Sequence, residues 1–249
     1  SQADYFQATK GGGHGDYHLI VLAPSTVQEM ADFVALGFDL SFKYRTPAMI
    51  LADGIVGQMM EKVVLPEQRP RRTAEEIRRQ CPWAVTGKGE RAHRNIATSL
   101  ELDSSVMETN NLRYQRTYAE IRKNEVRYEA RHTDDADYLI IAFGSIARIC
   151  DKAMEDARKE GHKVGLIRPI TLWPFPDDAI REAAKNVKGI LCVEINAGQM
   201  IEDVRLAVND SVPVRHFGRL GGIVPSPAEV LKAFHREFID NNEAKEGRK

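Results

Sequence analysis

The residues with the most direct chemical potential sit near the start of the chain. Gly13-His14-Gly15-Asp16 places an imidazole and a carboxylate two residues apart inside a glycine run. Such a pair can accept and donate protons near neutral pH, and glycines let a backbone approach a ligand closely. The simpler reading is a glycine-shaped loop with both side chains in water. A second candidate is Phe143-Gly144-Ser145-Ile146-Ala147, at the end of an apolar run that opens a helix. Backbone amides at such a turn can hold an anion, so Gly144 and Ser145 form a candidate anion-contact turn. The spacing Gly-x-Gly-x-x-Gly is absent, which disfavours a stand-alone nucleotide-binding oxidoreductase.

Other constellations carry less. Gly218-Arg219-Leu220-Gly221-Gly222 lacks the Lys-Ser/Thr of a phosphate loop. Asp53-Gly54 with Asn110-Asn111 imitates a magnesium–diphosphate pattern, but Ala52 replaces a glycine and the gap is about twice the usable one; that match is rejected. Glu194, ending an apolar run, is expected to anchor a loop. Cys81, Cys150 and Cys192 form no Cys-x-x-Cys pair and support neither disulfide, zinc site nor iron–sulfur cluster. No metal site is predicted, and a reducing cytoplasm fits best.

These residues need elements to position them. Leu19–Ala23 and Ala48–Ala52 read as buried parallel strands around a helix opened by a capping box, Thr26-x-x-Glu29. Val27, Met30, Ala31, Val34, Phe38 and Ser41 are its expected core stripe. Two such strands cannot make a covered parallel sheet alone. Residues 1–65 are therefore expected to be the closing part of a domain whose opening half lies outside the chain, a reading that the start on Ser1 supports. An exposed sheet edge or face there predicts self-association.

Residues 66–133 read as a connector, with 14 Lys/Arg against 10 Asp/Glu from Glu67 to Arg131. Its aromatic residues do not interleave with arginines, so nucleic acid is not expected. The spacing predicts a helix over Leu112–Tyr128, with Tyr114, Tyr118, Ile121 and Tyr128 on one stripe. Residues 134–240 predict an autonomous α/β domain with strands at Tyr138–Phe143, Val164–Ile167, Gly189–Val193 and Pro213–His216. Pro169, Pro174 and Pro176 pin a loop, and 241–249 form a tail. The fold class is α/β with a mostly parallel sheet. The net charge of −1 points to no polyanionic partner, and apolar runs of five or six residues do not span a membrane.

Longer strings then carry a resemblance. Gly12-Gly13-His14-Gly15-Asp16-Tyr17, Leu22-Ala-Pro-Ser-Thr-Val-Gln-Glu-Met30 and Ala52-Asp-Gly-Ile-Val-Gly-Gln58 resemble the α subunit of the 2-oxoacid:ferredoxin oxidoreductases. So do Asp134–Asp137, Ala142–Ser145, Ile167–Phe175, Val193–Met200 and Gly218–Gly222, in family order. Ser1–Gly13 looks most like the branched-chain, 2-oxoisovalerate branch.

The resemblance implies a partial thiamine-pyrimidine-binding domain followed by a transketolase C-terminal-like parallel α/β domain. It implies oxidative decarboxylation of a 2-oxoacid to an acyl-coenzyme A, with electrons passing through an iron–sulfur cluster to ferredoxin. Thiamine diphosphate and Mg²⁺ are then held with a partner β subunit, and the cluster by a ferredoxin-like or γ subunit. The family residues that activate the pyrimidine fall upstream of Ser1, so no catalytic residue is assigned and the chain alone is expected to bind no cofactor and to be inactive. The alternative is a non-catalytic module that only assembles subunits.

Overall fold

A computed structural model describes residues 1–68 and 70–240. The tail expected at 241–249 lies outside the described residues. In chain order the elements are α1 (Tyr5–Thr9), β1 (Ile20–Leu22), α2 (Val27–Tyr44), β2 (Ala48–Ile50), α3 (Gly54–Gln58), α4 (Ala74–Gln80) and α5 (Ser104–Asn124). There follow β3 (Tyr128–Arg131), β4 (Tyr138–Ala142), α6 (Ser145–Lys159), β5 (Val164–Pro169), β6 (Thr171–Trp173), α7 (Asp177–Ala183), β7 (Gly189–Glu194), α8 (Met200–Val208), β8 (Val214–Gly218) and α9 (Pro227–Phe234). They divide into two units, residues 1–64 with 117 onward, and residues 65–116.

In the larger unit, five strands run in the order β3-β5-β4-β7-β8. β4, β5, β7 and β8 are mutually parallel, as a chain of strand–helix alternations demands, and β3 is added antiparallel to the edge strand β5. β4 and β7 are buried along their whole length, because helices cover both faces. On one face Ile146, Cys150, Ala153 and Ala157 of α6 and Val230 and Phe234 of α9 pack on Ile140, Leu166 and Leu191. On the other, Ile180 of α7 and Ile201 and Val204 of α8 pack on Leu139, Ile141 and Ile190. That second cluster continues without a break into Tyr5, Ile20, Val21 and Leu40.

The amino-terminal strands do pair directly, Ile20 to Ala48 through Leu22 to Ile50. Their sheet, however, is finished by β6, which pairs antiparallel with β1. Thr171–Trp173 had been expected as a proline-pinned loop. The prolines at 169 and 174 flank the segment rather than interrupt it, so they delimit a short strand whose ladder lies on a distant part of the chain. Likewise Tyr128 belongs to β3, not to a helix: α5 ends at Asn124, Tyr118 and Ile121 are buried, and Tyr114 and Tyr128 are exposed.

The helix α2 forms where expected but rolls. Phe33, Gly37 and Leu40 face inward, whereas Val34 and Phe38 of the expected core stripe are 47% and 65% exposed. Phe33, Leu36, Leu40 and Tyr44 make an alternative stripe at the same 3.6-residue period, and packing decides between the two. The capping box is also shifted. Thr26 Oγ1 accepts from Glu29 N, but the Glu29 carboxylate takes the backbone N–H and hydroxyl of Ser25. Both of its oxygens accept from Arg168 on β5, which donates from Nη1 to Oε2 at 3.0 Å and from Nη2 to Oε1 at 2.6 Å and also reaches Glu129 on β3.

The smaller unit is held mainly by caps and a carbonyl-binding cluster. Thr73 and Glu76 form a reciprocal capping box on α4. Arg91 Nη1 and Asn95 Nδ2 both donate to the carbonyls of Pro82 and Ala84.

Arg168 is 4% exposed, so losing Glu29 leaves a buried guanidinium with Glu129 as its remaining carboxylate partner. Glu29→Leu alone is expected to cost about 3 kcal/mol, and adding Arg168→Met should recover most of it; urea midpoints of the single and double variants check this. Burial alone would raise the Glu29 carboxyl, but hydrogen bonds from Arg168 and Ser25 outweigh it and hold it below its ordinary value of 4.5. A depressed carboxylate contributes stability above that ordinary value and loses it as pH falls through the folded value. The wild-type urea midpoint should therefore fall more steeply below about pH 4.5 than that of the double variant.

Candidate functional site

Open parallel sheets bind ligands at the carboxyl ends of strands where the strand order reverses. Here β5 lies to one side of β4 and β7 to the other, so the crevice opens between the ends of β4 and β7, at Phe143 and Glu194–Ile195. This chain fills that crevice itself. Gln2 Nε2 donates to Phe143 O at 2.9 Å; Gln2 N donates to Ile195 O, and Ile195 N returns a bond to Gln2 Oε1 at 3.2 Å. Asn196 Nδ2 donates to Gln2 O at 2.9 Å. The remaining space beside Ser1, Gln2 and Asp53 is about 20 Å³, room for one water.

At the candidate anion-contact turn the structure places a side chain of the same chain, Asp53. Gly144 ends β4 with φ 61° and ψ −149°, a region essentially confined to glycine. That bend aims the first amide of α6 at the Asp53 carboxylate, which accepts from Ser145 N at 2.9 Å and Ser145 Oγ at 2.8 Å. A helix N-terminus carries partial positive charge, so a buried carboxylate is well placed there. Asp53 also accepts from Val56 N and Gln2 Nε2, and so caps α3 as well. A carboxylate already receiving N–H and O–H donors on both oxygens is not a magnesium ligand. Asn111, the other half of the rejected pattern, spends its amide on Met107 O inside α5. The described residues around Asp53 therefore do not fit a magnesium–diphosphate centre.

Glu194 behaves as the loop anchor it was expected to be. It is fully buried and accepts from the backbone N–H groups of Gln199, Met200 and Ile201 and from Asn196 Nδ2. Those amides are the unpaired first turn of α8. Gln199 in turn accepts from Phe6 N and donates to Ala3 O, and the Tyr5 hydroxyl donates to Asp203 at 2.6 Å. Burial and the neighbouring Asp203 push the Tyr5 phenol well above its ordinary value, so it stays a donor. Gln2, Ala3, Tyr5 and Phe6 are thus hydrogen-bonded to the β7–α8 turn and to the first turn of α8. No spacing rule marks Gln2 or Tyr5, and sequence reasoning missed both.

Gly13, His14, Gly15 and Asp16 lie elsewhere, exposed in the loop before the amino end of β1. Gly11, Gly12, Gly13 and Gly15 all have positive φ, so the run is a loop that glycine alone permits without strain. The structure does not join this loop to Gly144: the atoms around Gly144 belong to Asp53, Gln2 and Pro24. Just beyond it, His18 stacks on Trp173 at 4.5 Å and 9°, with Arg122 over the other ring system at 5.7 Å. They line an open cavity of about 710 Å³ with Lys10, Asp177 and Asp203. Burial, then Arg122 and Lys10, lower the His18 pKa from 6.5, leaving a neutral ring at pH 7. Burial also raises the Cys150 and Cys192 thiols, which removes both as thiolate nucleophiles.

A Cβ on Gly144 would stand 2.8 Å from both Asp53 Oδ2 and Gln2 Nε2. Gly144→Ala should therefore cost at least about 1–3 kcal/mol from backbone strain. Asp53→Asn, which loses the charge from four hydrogen bonds, should cost a further comparable amount, about 1.5–3 kcal/mol. Urea unfolding of each variant is the measurement, and a change under about 0.5 kcal/mol, typical of a surface site, would contradict a latch formed by residues 1–9, Asp53, Gly144–Ser145 and the 194–200 turn.

Residues 1–135 match the family model for the thiamine-diphosphate-binding domain of pyruvate flavodoxin/ferredoxin oxidoreductases, and residues 136–230 match core domain II of pyruvate:ferredoxin oxidoreductase. The ketoisovalerate oxidoreductase subunit VorB of Methanothermobacter thermautotrophicus is 43% identical over 242 residues, covering 97% of this chain and 67% of its own length. The 2-oxoglutarate synthase subunit KorA of Methanothermobacter marburgensis is 34% identical over 257 residues, covering 93% of this chain and 67% of its own. The fold is shared with a solved 2-oxoglutarate:ferredoxin oxidoreductase from Magnetococcus marinus, at a TM-score of 0.73 and 22% identity over 94% of this chain and 44% of that one. The chain thus spans about two thirds of these curated relatives and under half of the solved chain. On this evidence it belongs to the pyruvate flavodoxin/ferredoxin oxidoreductase family, as part of a 2-oxoacid oxidoreductase subunit.

Proposed function

We propose that this chain is part of the α subunit of a thiamine-diphosphate-dependent 2-oxoacid:ferredoxin oxidoreductase acting on 2-oxoisovalerate. The whole enzyme would convert a branched-chain 2-oxoacid and coenzyme A to acyl-coenzyme A and CO₂, with the two electrons passed to ferredoxin. The observation that carries the reading is the 43% identity to a ketoisovalerate subunit over nearly the whole chain, against 34% to 2-oxoglutarate subunits. The segments that carry the family resemblance also meet at one place: 1–9, Asp53, Gly144–Ser145 and 194–200 all belong to the latch described above.

On this reading the chain supplies placement rather than bond-making groups. Its latch fixes the pyrimidine-side module against core domain II, and oriented placement is a large part of such an enzyme's rate. Thiamine diphosphate and Mg²⁺ would be held chiefly by a β subunit, with the iron–sulfur cluster on a ferredoxin-like or γ subunit. The Gly13–Asp16 loop, exposed on the same module, is a candidate for contact near that site. Buried, unpaired Cys81, Cys150 and Cys192 suit a reducing cytoplasm. No helix among the described residues is long and apolar enough to cross a membrane.

The assembly role is favoured by one observation, the outward face of α2, where Val34 and Phe38 are exposed. Apolar surface of this kind favours association, and self-association through α2 is part of the reading.

Two measurements test it. Coexpressed with its partner subunits, the full enzyme should reduce a viologen dye with 2-oxoisovalerate and coenzyme A, whereas the chain alone should not. Preference for 2-oxoglutarate by a wide margin in kcat/KM overturns the branch assignment. Phe38→Glu should shift the sedimenting species of the isolated chain toward monomer; a chain that is monomeric at high concentration without the substitution overturns the self-association.

A further inference from the structure

We infer that Glu160, His162 and His235 form a binding site for one divalent first-row transition-metal ion of the zinc class. It stands apart from the latch and from the proposed oxidoreductase chemistry. Among the described residues this is a group of two imidazoles and a carboxylate whose ligand atoms all lie within 4.8 Å of one another.

Local structure explains how three separate residues converge. The helix α6 ends at Lys159, Glu160 caps it, and Gly161 turns the chain with φ 94°. That turn sets Glu160 and His162 side by side in a Glu-x-His arrangement. The helix α9 packs beside α6 and widens after Phe234 into a π-helical turn over His235–Asp240. Helical widening of this kind is often found where a side chain is re-aimed for function. Here it delivers His235 so that its ring lies 5.5 Å from the His162 ring, edge to face, and its Nε2 lies 2.8 Å from Glu160 Oε2.

Two features point to a cation rather than a simple ion pair. His235 Nε2 is shielded from solvent and, despite its closeness to Glu160, makes no hydrogen bond of acceptable geometry. A buried polar atom left without a partner costs free energy, and a metal bond to its lone pair would remove that cost. The group also lies at the carboxyl end of α6, where the helix carries partial negative charge that favours a cation.

The donor set suits the ion. Two imidazole nitrogens and one carboxylate oxygen are the ligands zinc takes with about 2.0–2.2 Å bonds, so two ligands of one tetrahedral ion stand about 3.3–3.6 Å apart. The three ligand atoms lie within 4.8 Å of one another, and side-chain rotation of the partly exposed Glu160 and His235 is needed to bring them to that spacing. Three protein ligands leave one position open to water. The site would tie the end of α6 to the carboxyl-terminal helix.

The test uses the full chain, stripped with a chelator and titrated with Co²⁺, whose visible d–d absorption reports coordination. One equivalent should bind, be displaced by Zn²⁺, and give a tetrahedral spectrum. His162→Ala and His235→Ala should each weaken Co²⁺ binding by more than about 100-fold, the upper end of what loss of a mere supporting partner costs. His14→Ala, remote from the group, should leave binding unchanged. Should a histidine variant fail to fold by far-ultraviolet circular dichroism, Glu160→Gln, at an exposed position, gives the same readout with at least a 10-fold loss expected, roughly the lower end of that range. The inference is overturned if no stoichiometric d–d spectrum develops, or if the spectrum and affinity survive these substitutions.

Discussion

The organising constraint of this molecule is a crevice that must be filled. A parallel sheet whose strand order reverses between β4 and β7 leaves backbone groups at Phe143 and Ile195 pointing into a gap. Left buried without partners, those groups would be costly. Gln2 satisfies both sides of the gap with one side chain and its own backbone, and Asp53 neutralises the start of α6 beside it. Many folds of this kind place a ligand at that crevice; here residues from the amino-terminal module occupy it. The consequence is mechanical: the module's position is set by hydrogen bonds with fixed direction rather than by apolar contact alone.

Glu194 extends the same logic along the sheet edge. Its carboxylate gathers the first amides of α8, while Gln199 and Asp203 of that region bind Phe6, Ala3 and Tyr5. On the far side Arg168 performs the corresponding role, linking α2 to β5 through Glu29 and to β3 through Glu129. β6 then completes a three-stranded sheet with β1 and β2. Several polar connections, Lys43 and Tyr44 to Glu125 and Arg148 to Glu61 among them, and one shared apolar cluster therefore join residues 1–64 to residues 117 onward.

Much of this was legible in the sequence where a rule of local geometry applied. The strands β4, β5, β7 and β8 and the loop-anchoring role of Glu194 follow from periodicity and strand ends. The rejection of Asp53 as a metal ligand rested on spacing, and its four donors give the physical reason. Gly144–Ser145 was legible as a turn from strand into helix, with an anion contact at its amides as a secondary reading. That the group facing those amides is Asp53, 92 residues away, was not recognisable.

What the sequence determined by itself is what short-range physics determines: which segments are strands or helices, where they stop, and to which family their motifs belong. Tertiary structure decided everything that depends on a partner distant along the chain. It chose the Phe33–Leu40 face of α2 over the equally periodic Val34–Phe38 face, because only one could meet β1 and β2. It made Thr171–Trp173 a strand, since a three-residue segment is extended only when another strand supplies its ladder. It brought His235 to Glu160 and His162, which no motif of fixed spacing could announce. In each case local preference was nearly balanced between two outcomes, and burial against a remote surface tipped it.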